Sequence, residues 1–361
     1  MSNETEYKDL IAFHPGSYIE EIVEDLNITQ AEFADRLEVS AKTVSKLING
    51  ETAITSKIAN KLAKLTGISM KTWLSLQTNY EVKLAEIENQ RNADEKRACD
   101  LIDFSYFKKY GYADKSKKRY SKSEKIQILR RSLKTSNLSQ LFEFNPLVSY
   151  RRADFSEKSI VCSNVMLELA TMDARNKTNN KYEKVKLEKA LPIIRKMTLQ
   201  KTKVFYPRLK QLLLDCGIVL EAFPNLKNAS LNGATKKFKN GSILLLITDR
   251  NKNSDIFWFS LIHELGHIYY EDFYSDYEDK EKYQEKEKKA DRFAENFLIP
   301  QESYKEFVKK HNFDFDAIQS FAKKVKINLG IVIGRLQSDK YLKYNQYSNL
   351  KSKYKISLQQ N

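Results

Sequence analysis

Cysteine, proline and glycine are scarce in this chain of 361 residues: 3, 6 and 10 respectively. Cys99, Cys162 and Cys216 are widely spaced and odd in number, which excludes a disulfide frame and a cysteine metal site and suits a reduced, cytoplasmic compartment. So little glycine and proline argues against elaborate loops and for long helices. No apolar run reaches 18 residues, and the opening Met-Ser-Asn-Glu-Thr-Glu lacks the apolar centre of a signal peptide, so neither a membrane span nor a membrane partner is expected. No internal repeat appears at solenoid periods. Histidine is also rare, with four in the chain, yet two of them stand four residues apart.

Those two belong to His263-Glu-Leu-Gly-His267. A spacing of i, i+4 places both imidazoles on one face of a helix, within reach of a single metal ion. Glu264 is rotated about 100° away, clear of the metal bonds but close to a bound water. Neutral imidazoles, a Lewis-acid zinc and a carboxylate base are the parts of a hydrolytic zinc centre. The preceding Asp255-Ile-Phe-Trp-Phe-Ser-Leu-Ile262 is too apolar for a solvent-facing helix, so the metal helix should be buried, with Asp255 near its N-terminal end. Gly266, unfavourable in a helix, predicts a close approach by another backbone.

Catalytic zinc ordinarily takes three protein ligands and a water. A third histidine six residues beyond the second is excluded, because Phe273 stands there and Tyr270 replaces the glycine that such a motif needs. His311 is remote. Within Glu287-Lys-Lys-Ala-Asp-Arg-Phe-Ala-Glu-Asn-Phe-Leu-Ile-Pro300, residues Ala290, Phe293, Ala294, Phe297 and Leu298 form a helical apolar stripe, ended by Pro300. Glu287 lies in line with Ala290 and Ala294 and is the favoured third ligand, with Glu281, Glu285 and Asp291 in competition. Tyr269, Tyr270 and Arg250 are candidates for stabilising a developing oxyanion.

HELGH followed by ExxADxFAxxFLIP resembles the ImmA/IrrE-type metallopeptidases, whose second motif reads ExxANxFAxxLLxP. Leu231-Asn-Gly-Ala-Thr, the run ending at Asp249-Arg250, and Phe257-Trp-Phe add to the likeness, which covers about residues 200–300. The resemblance implies a compact zincin fold, one zinc on His263, His267 and Glu287, Glu264 as general base, and helix-turn-helix repressors as substrates. Asp291 departs from the family's Asn.

A second signal lies within residues 14–80. Thr29 with Glu32 forms a capping box ahead of the inward Phe33, Ala34 and Leu37. After the turn Glu38-Val39, Ser40 caps a second helix, Ala41–Ile48, ended by Asn49-Gly50. Val44, Leu47 and Ile48 face inward, leaving Lys42, Thr43, Ser45, Lys46 and Asn49 outward, short and basic enough for a major groove. His14-Pro-Gly16, Thr29-Gln30, Ser40 through Asn49-Gly50 and Trp73-Leu-Ser-Leu-Gln77 resemble the XRE-type domain of HigA-like antidote proteins. That resemblance implies Gln30 on the DNA backbone, Lys42, Thr43 and Lys46 nearest the bases, a double-stranded operator, and as partners a second copy of the chain and a toxin.

Charge is unevenly spread. Residues 1–80 hold 8 Lys/Arg against 11 Asp/Glu, a net of −3, while the whole chain carries +15. Residues 107–134 hold 11 Lys/Arg against 2 Asp/Glu, interleaved with Phe107, Tyr110, Tyr112 and Tyr120. That run is either a phosphate-tracking patch or a solvated face.

The expected fold is mainly α: an all-α helix-turn-helix domain over 1–80, a helical connector over 81–200 with a break at Pro192, and a small α+β zincin-like domain over 201–361. In the last, a strand at Gly217–Phe223 and a hairpin turning at Asn240-Gly241 precede the metal helix. Phe315–Val325 and Leu329–Leu336 should be helical, and the last ten residues frayed. Two functions compete: a DNA-binding regulator with its own zinc endopeptidase, cutting a repressor or partner, and an antitoxin-type repressor with little or no peptidase activity. A structural zinc is a third reading.

Overall fold

The computed structural model describes residues 4–143, 156–273 and 280–356. Its contacts divide the chain into two compact units, Met1–Glu95 and Lys96–Asn361. Among the described residues no helix is long and apolar enough to cross a membrane.

The first unit opens with an antiparallel hairpin, β1 (Glu4–Tyr7) and β2 (Leu10–Phe13), followed by α1 (Gly16–Asp25), α2 (Gln30–Arg36), α3 (Ala41–Ile48), α4 (Ser56–Thr66) and the start of α5 (Met70–Leu101). Ile19, Phe33, Leu37, Val44, Leu47, Leu62 and Trp73 are fully enclosed in its core. Each contributes roughly 1.5–3 kcal/mol by leaving water. The hairpin corrects the all-α expectation for this segment. It is held to α5 by apolar packing of Tyr7 and Ala12 on Ile87, and by Asp94, which accepts from Tyr7 Oη at 2.8 Å and Lys8 Nζ at 2.5 Å.

The second unit is built round a three-stranded sheet of β3 (Ile218–Phe223), β4 (Gly233–Lys237) and β5 (Ile243–Thr248), in the order β3-β5-β4. β3 runs parallel to β5, and β4 pairs antiparallel with β5 through the hairpin expected at Asn240-Gly241. β5 is buried along its whole length, as its unbroken apolar run requires. Ile243, Leu245 and Ile247 face one core, shared with α9 (Lys184–Met197), α10 (Thr202–Asp215) and α11 (Ser254–Tyr269). Leu244 and Leu246 face a second, shared with α6 (Phe104–Lys109), α7 (Lys122–Leu133) and α8 (Glu157–Ala174). α12 (Lys280–Leu298), α13 (Gln301–Val308), α14 (Phe315–Val325) and α15 (Leu329–Ser338) complete the unit.

Helices between residues 96 and 197 therefore cover both faces of the sheet, where a connector was expected. α8 shows why composition hid this: its buried face includes Ser159, Ser163, Asn164 and Thr171, so it carries no clean apolar stripe. Helix α9 continues through Pro192, because burial of Leu187, Ala190, Leu191 and Ile194 on either side outweighs the ~3 kcal/mol a helical proline costs. In the run 107–134 the rings pack inward: Phe107 is buried, and Tyr110, Tyr112 and Tyr120 pack against the same core. Pro146 and Arg151-Arg-Ala-Asp154, which the sequence reads as a break between two helical clusters, lie outside the described residues.

The terminal segment is pinned rather than frayed as far as Ile356. Ser254 N donates to Ser352 O, Tyr354 N to Lys252 O, and Ile356 N to Asp249 Oδ2. Lys351 Nζ lies 2.6 Å from the buried Asp255 carboxylate at the start of α11 and 2.5 Å from Gln337 Oε1. A buried carboxylate needs such a partner.

Candidate metal centre and nucleic-acid interface

α11 forms from an apolar sequence that would be insoluble as an exposed helix, and the sheet and neighbouring helices enclose it. Trp258, Leu261, Ile262, Leu265 and Ile268 are fully buried, and they carry His263, Glu264 and His267 inside with them. The two Nε2 atoms lie 3.1 Å apart. Gly266 provides the close approach expected of it: a Cβ there would meet Ala290 Cα at 3.3 Å and Phe293 Cδ1 at 3.1 Å. Small residues on both helices thus let α12 lie directly on α11.

That contact brings Glu287 to the histidines. Its Oε1 is 3.1 Å from His267 Nε2 and its Oε2 is 3.4 Å from His263 Nε2. His263, His267 and Glu287 form a group with all ligand atoms within 4.8 Å of one another. The donor set fits a divalent ion. Two imidazole nitrogens and a carboxylate converge, and bonds of about 2.0–2.2 Å to a tetrahedral zinc would leave donors separated by roughly these distances.

Glu264 is buried beside the pair, against the first residue of β4. A Cβ on Gly233 would stand 2.6 Å from Glu264 Cγ and 2.9 Å from Oε1, so only glycine leaves this carboxylate its place. β4 is an edge of the three-stranded sheet among the described residues.

Of the other sequence candidates, His311, Glu281 and Glu285 are exposed and lie outside the cluster. Asp291 is in contact with the centre without being one of the three: its Oδ1 is 2.7 Å from His263 Nδ1. Sequence reasoning had Asp291 only as a rival ligand. Its position one turn after Glu287 was the available signal for an outer contact. Tyr269 Oη donates to Glu188, Tyr270 has Lys289 Nζ 3.7 Å from its ring centre, and Arg250 donates to Ser230 O.

In the first unit α2 and α3 form the expected pair. Thr29 Oγ1 accepts from Glu32 N and Ser40 Oγ from Thr43 N. The capping box at Thr29 is half formed, because Glu32 turns to Arg36 at 2.7 Å rather than back to the cap. Glu38 takes a positive φ in the turn, and Gly50 does so after α3. Gln30, Ser40, Lys42, Lys46 and Asn49 are exposed, with Thr43 and Ser45 partly so. Ser40 and Thr43 share a hydroxyl contact of 2.8 Å, and Asn49 Nδ2 donates to Ser45 Oγ. The polar face of α3 is thus ordered and turned to solvent, with Gln30 at the start of α2.

Comparison with known proteins gives two matches in separate parts of the chain. Residues 19–73 match the family model described as helix-turn-helix, and residues 229–360 that of the IrrE N-terminal-like domain. An uncharacterized HTH-type transcriptional regulator, YddM, of Escherichia coli K12 is 38% identical over 72 residues, which is 20% of this chain and 77% of that protein. Virulence-associated protein I of Dichelobacter nodosus is 29% identical over 83 residues, 23% of this chain and 77% of the relative. A solved structure of a putative antidote protein of a plasmid maintenance system from Nostoc punctiforme is 36% identical, covering 23% of this chain and 90% of its own, with a TM-score of 0.22. All three likenesses fall on a minor part of the chain.

Proposed function

The chain belongs to the helix-turn-helix family through residues 19–73 and carries a match to the IrrE N-terminal-like domain over 229–360, and from these we propose a DNA-binding transcriptional regulator with its own zinc-dependent endopeptidase. The observation that carries the second half is the convergence of His263, His267 and Glu287, with Glu264 buried beside them. Zinc held there would supply Lewis-acid polarisation of a water and of the scissile carbonyl. Glu264 takes the proton of the attacking water and returns it to the leaving amine, work typically worth 10²–10⁴-fold. β4, as an edge strand, offers backbone groups to an extended substrate segment. A fold-bound peptide would be held next to Gly233, and so next to Glu264.

The substrate class proposed is a repressor or partner protein, cut to change transcription. α3 enters the major groove of an operator, with Lys42, Thr43, Ser45, Lys46 and Asn49 at the bases, Gln30 and Ser40 at the phosphates, and a second copy on the other half-site. The antitoxin reading, a repressor that binds a toxin, draws on the antidote likeness of the first unit alone.

Zinc-loaded protein incubated with the products of neighbouring genes and with itself, followed by mass spectrometry of fragments, tests the proposal. Fragments should appear and should be absent with Glu264→Gln at undiminished zinc content. Cleavage by that variant would overturn the assigned base. Intact candidate substrates together with capture of a small toxin would favour the antitoxin reading.

A further inference from the structure

We infer that Asp291 is a positioning residue for the metal centre, holding the His263 ring by its outer nitrogen; the inference rests on the zinc reading above. Helix α12 touches this one imidazole twice. Glu287 reaches Nε2 at 3.4 Å, and Asp291, one turn later, reaches Nδ1 at 2.7 Å. A carboxylate accepts and does not donate, so the short contact places the ring proton on Nδ1. Nε2 then keeps its lone pair, aimed at the point where His267 Nε2 and Glu287 also converge.

The two ends of this contact differ in setting. The His263 side chain is 6% exposed and that of Asp291 49%, so Asp291 reaches in from the rim to fix a buried ring. It fixes orientation as well as tautomer. Its contact at Nδ1 adds to those the ring makes with Glu287 and His267 at Nε2 and with Phe259, whose ring centre is 6.2 Å away, and so opposes rotation about the ring's bond to Cβ. The residue type matters too. An Asn, which the ImmA/IrrE-type pattern carries here, can accept the Nδ1 proton through its carbonyl but adds no charge. A carboxylate makes the bond charge-assisted and the ring a more basic ligand. Outer partners of this kind are typically worth 10–100-fold in metal affinity.

The test is zinc affinity of the full chain, measured by competition with a chelating dye, for Asp291→Asn and Asp291→Ala. Melting of the metal-free proteins and the 15N signals of His263 in the loaded ones are recorded beside it. Asp291→Ala should bind zinc about 10–100-fold more weakly, with the near-isosteric Asp291→Asn partly restoring affinity and keeping the Nδ1–H signal. Metal-free melting should be close to that of the parent chain, which a purely structural role would not allow. Wild-type zinc affinity in Asp291→Ala would overturn the assignment. His263→Ala and Glu287→Gln separate the two levels of the argument. If they too bind as the parent does, the metal centre itself is wrong. If they lose zinc while both Asp291 variants keep it, only the positioning role falls.

Discussion

Gly233 and Glu264 are in such close contact that a single methyl group on the glycine would stand 2.6 Å from the glutamate Cγ. The strand and the metal helix meet at the side chain on which proton transfer would depend. Gly233→Ala should therefore displace Glu264 without touching the three ligands. Zinc content is expected to stay at one per chain while peptide cleavage drops by at least ~10²-fold, the lower end of what a general base supplies. Parallel metal analysis and a cleavage assay decide it, and a fully active variant would show that the strand can give way.

Metal removal should be felt in stability as well as activity. The donors sit on two helices joined by Gly266 and Ala290, so an ion across them clamps α11 to α12. With free zinc at about 100 times its dissociation constant the folded state gains ~2.7 kcal/mol. Chelation should lower the melting temperature of the second unit and leave that of the first alone. A melting curve unmoved by chelator and by His267→Ala would remove the clamp.

Acid should loosen the amino-terminal hairpin at pH values where the rest holds. Burial pushes the Asp94 carboxyl up, but hydrogen bonds from Lys8, Tyr7 and Gln90 together bring it below its usual value. A carboxyl depressed in the fold stabilises it at pH values above about 4, its unfolded value, and that contribution fades as pH falls through the lower folded one. The protection of residues 4–13 against hydrogen exchange, taken relative to the intrinsic rate at each pH, should fall as pH drops from about 4 downward, and Asp94→Asn should show the lower protection already at neutral pH. Unchanged exchange in Asp94→Asn would mean that Ile87 packing alone secures the hairpin.

On the reader, Lys42→Ala and Lys46→Ala remove exposed charges from α3 and should leave folding intact. Operator affinity measured against salt should weaken, and any lysine bound to phosphate should reduce the slope by about one. Val44→Ala, by contrast, cuts into the core and should cost about 1–3 kcal/mol of stability. Equal operator binding by the lysine variants at all salt concentrations would move the interface off this face.

The convergence of His263, His267 and Glu287 was legible to the extent that it is local. HELGH is a one-helix pattern, and Glu287 sits on the stripe that α12 turns to α11. Asp291 escaped because its contact depends on the register between two helices, which no single-helix pattern contains. The reader was legible for the same reason of locality, since its caps and turn span few residues. The hairpin β1–β2 was hidden by its shortness and by its turn: Lys8 takes a positive φ where Asn or Gly would have advertised the bend. Residues 96–197 were misplaced as a connector because their partners, Val219, Leu244 and Leu246, are distant in sequence, and because α8 buries polar and apolar residues alike.

The strap from Lys351 to Ile356 bears on practice at the bench. It neutralises Asp255 and hydrogen-bonds the residues that launch α11, so the segment 351–356 is mechanically joined to the helix that carries both imidazoles. A truncation or substitution that removes Lys351 therefore acts as a lever on the start of α11.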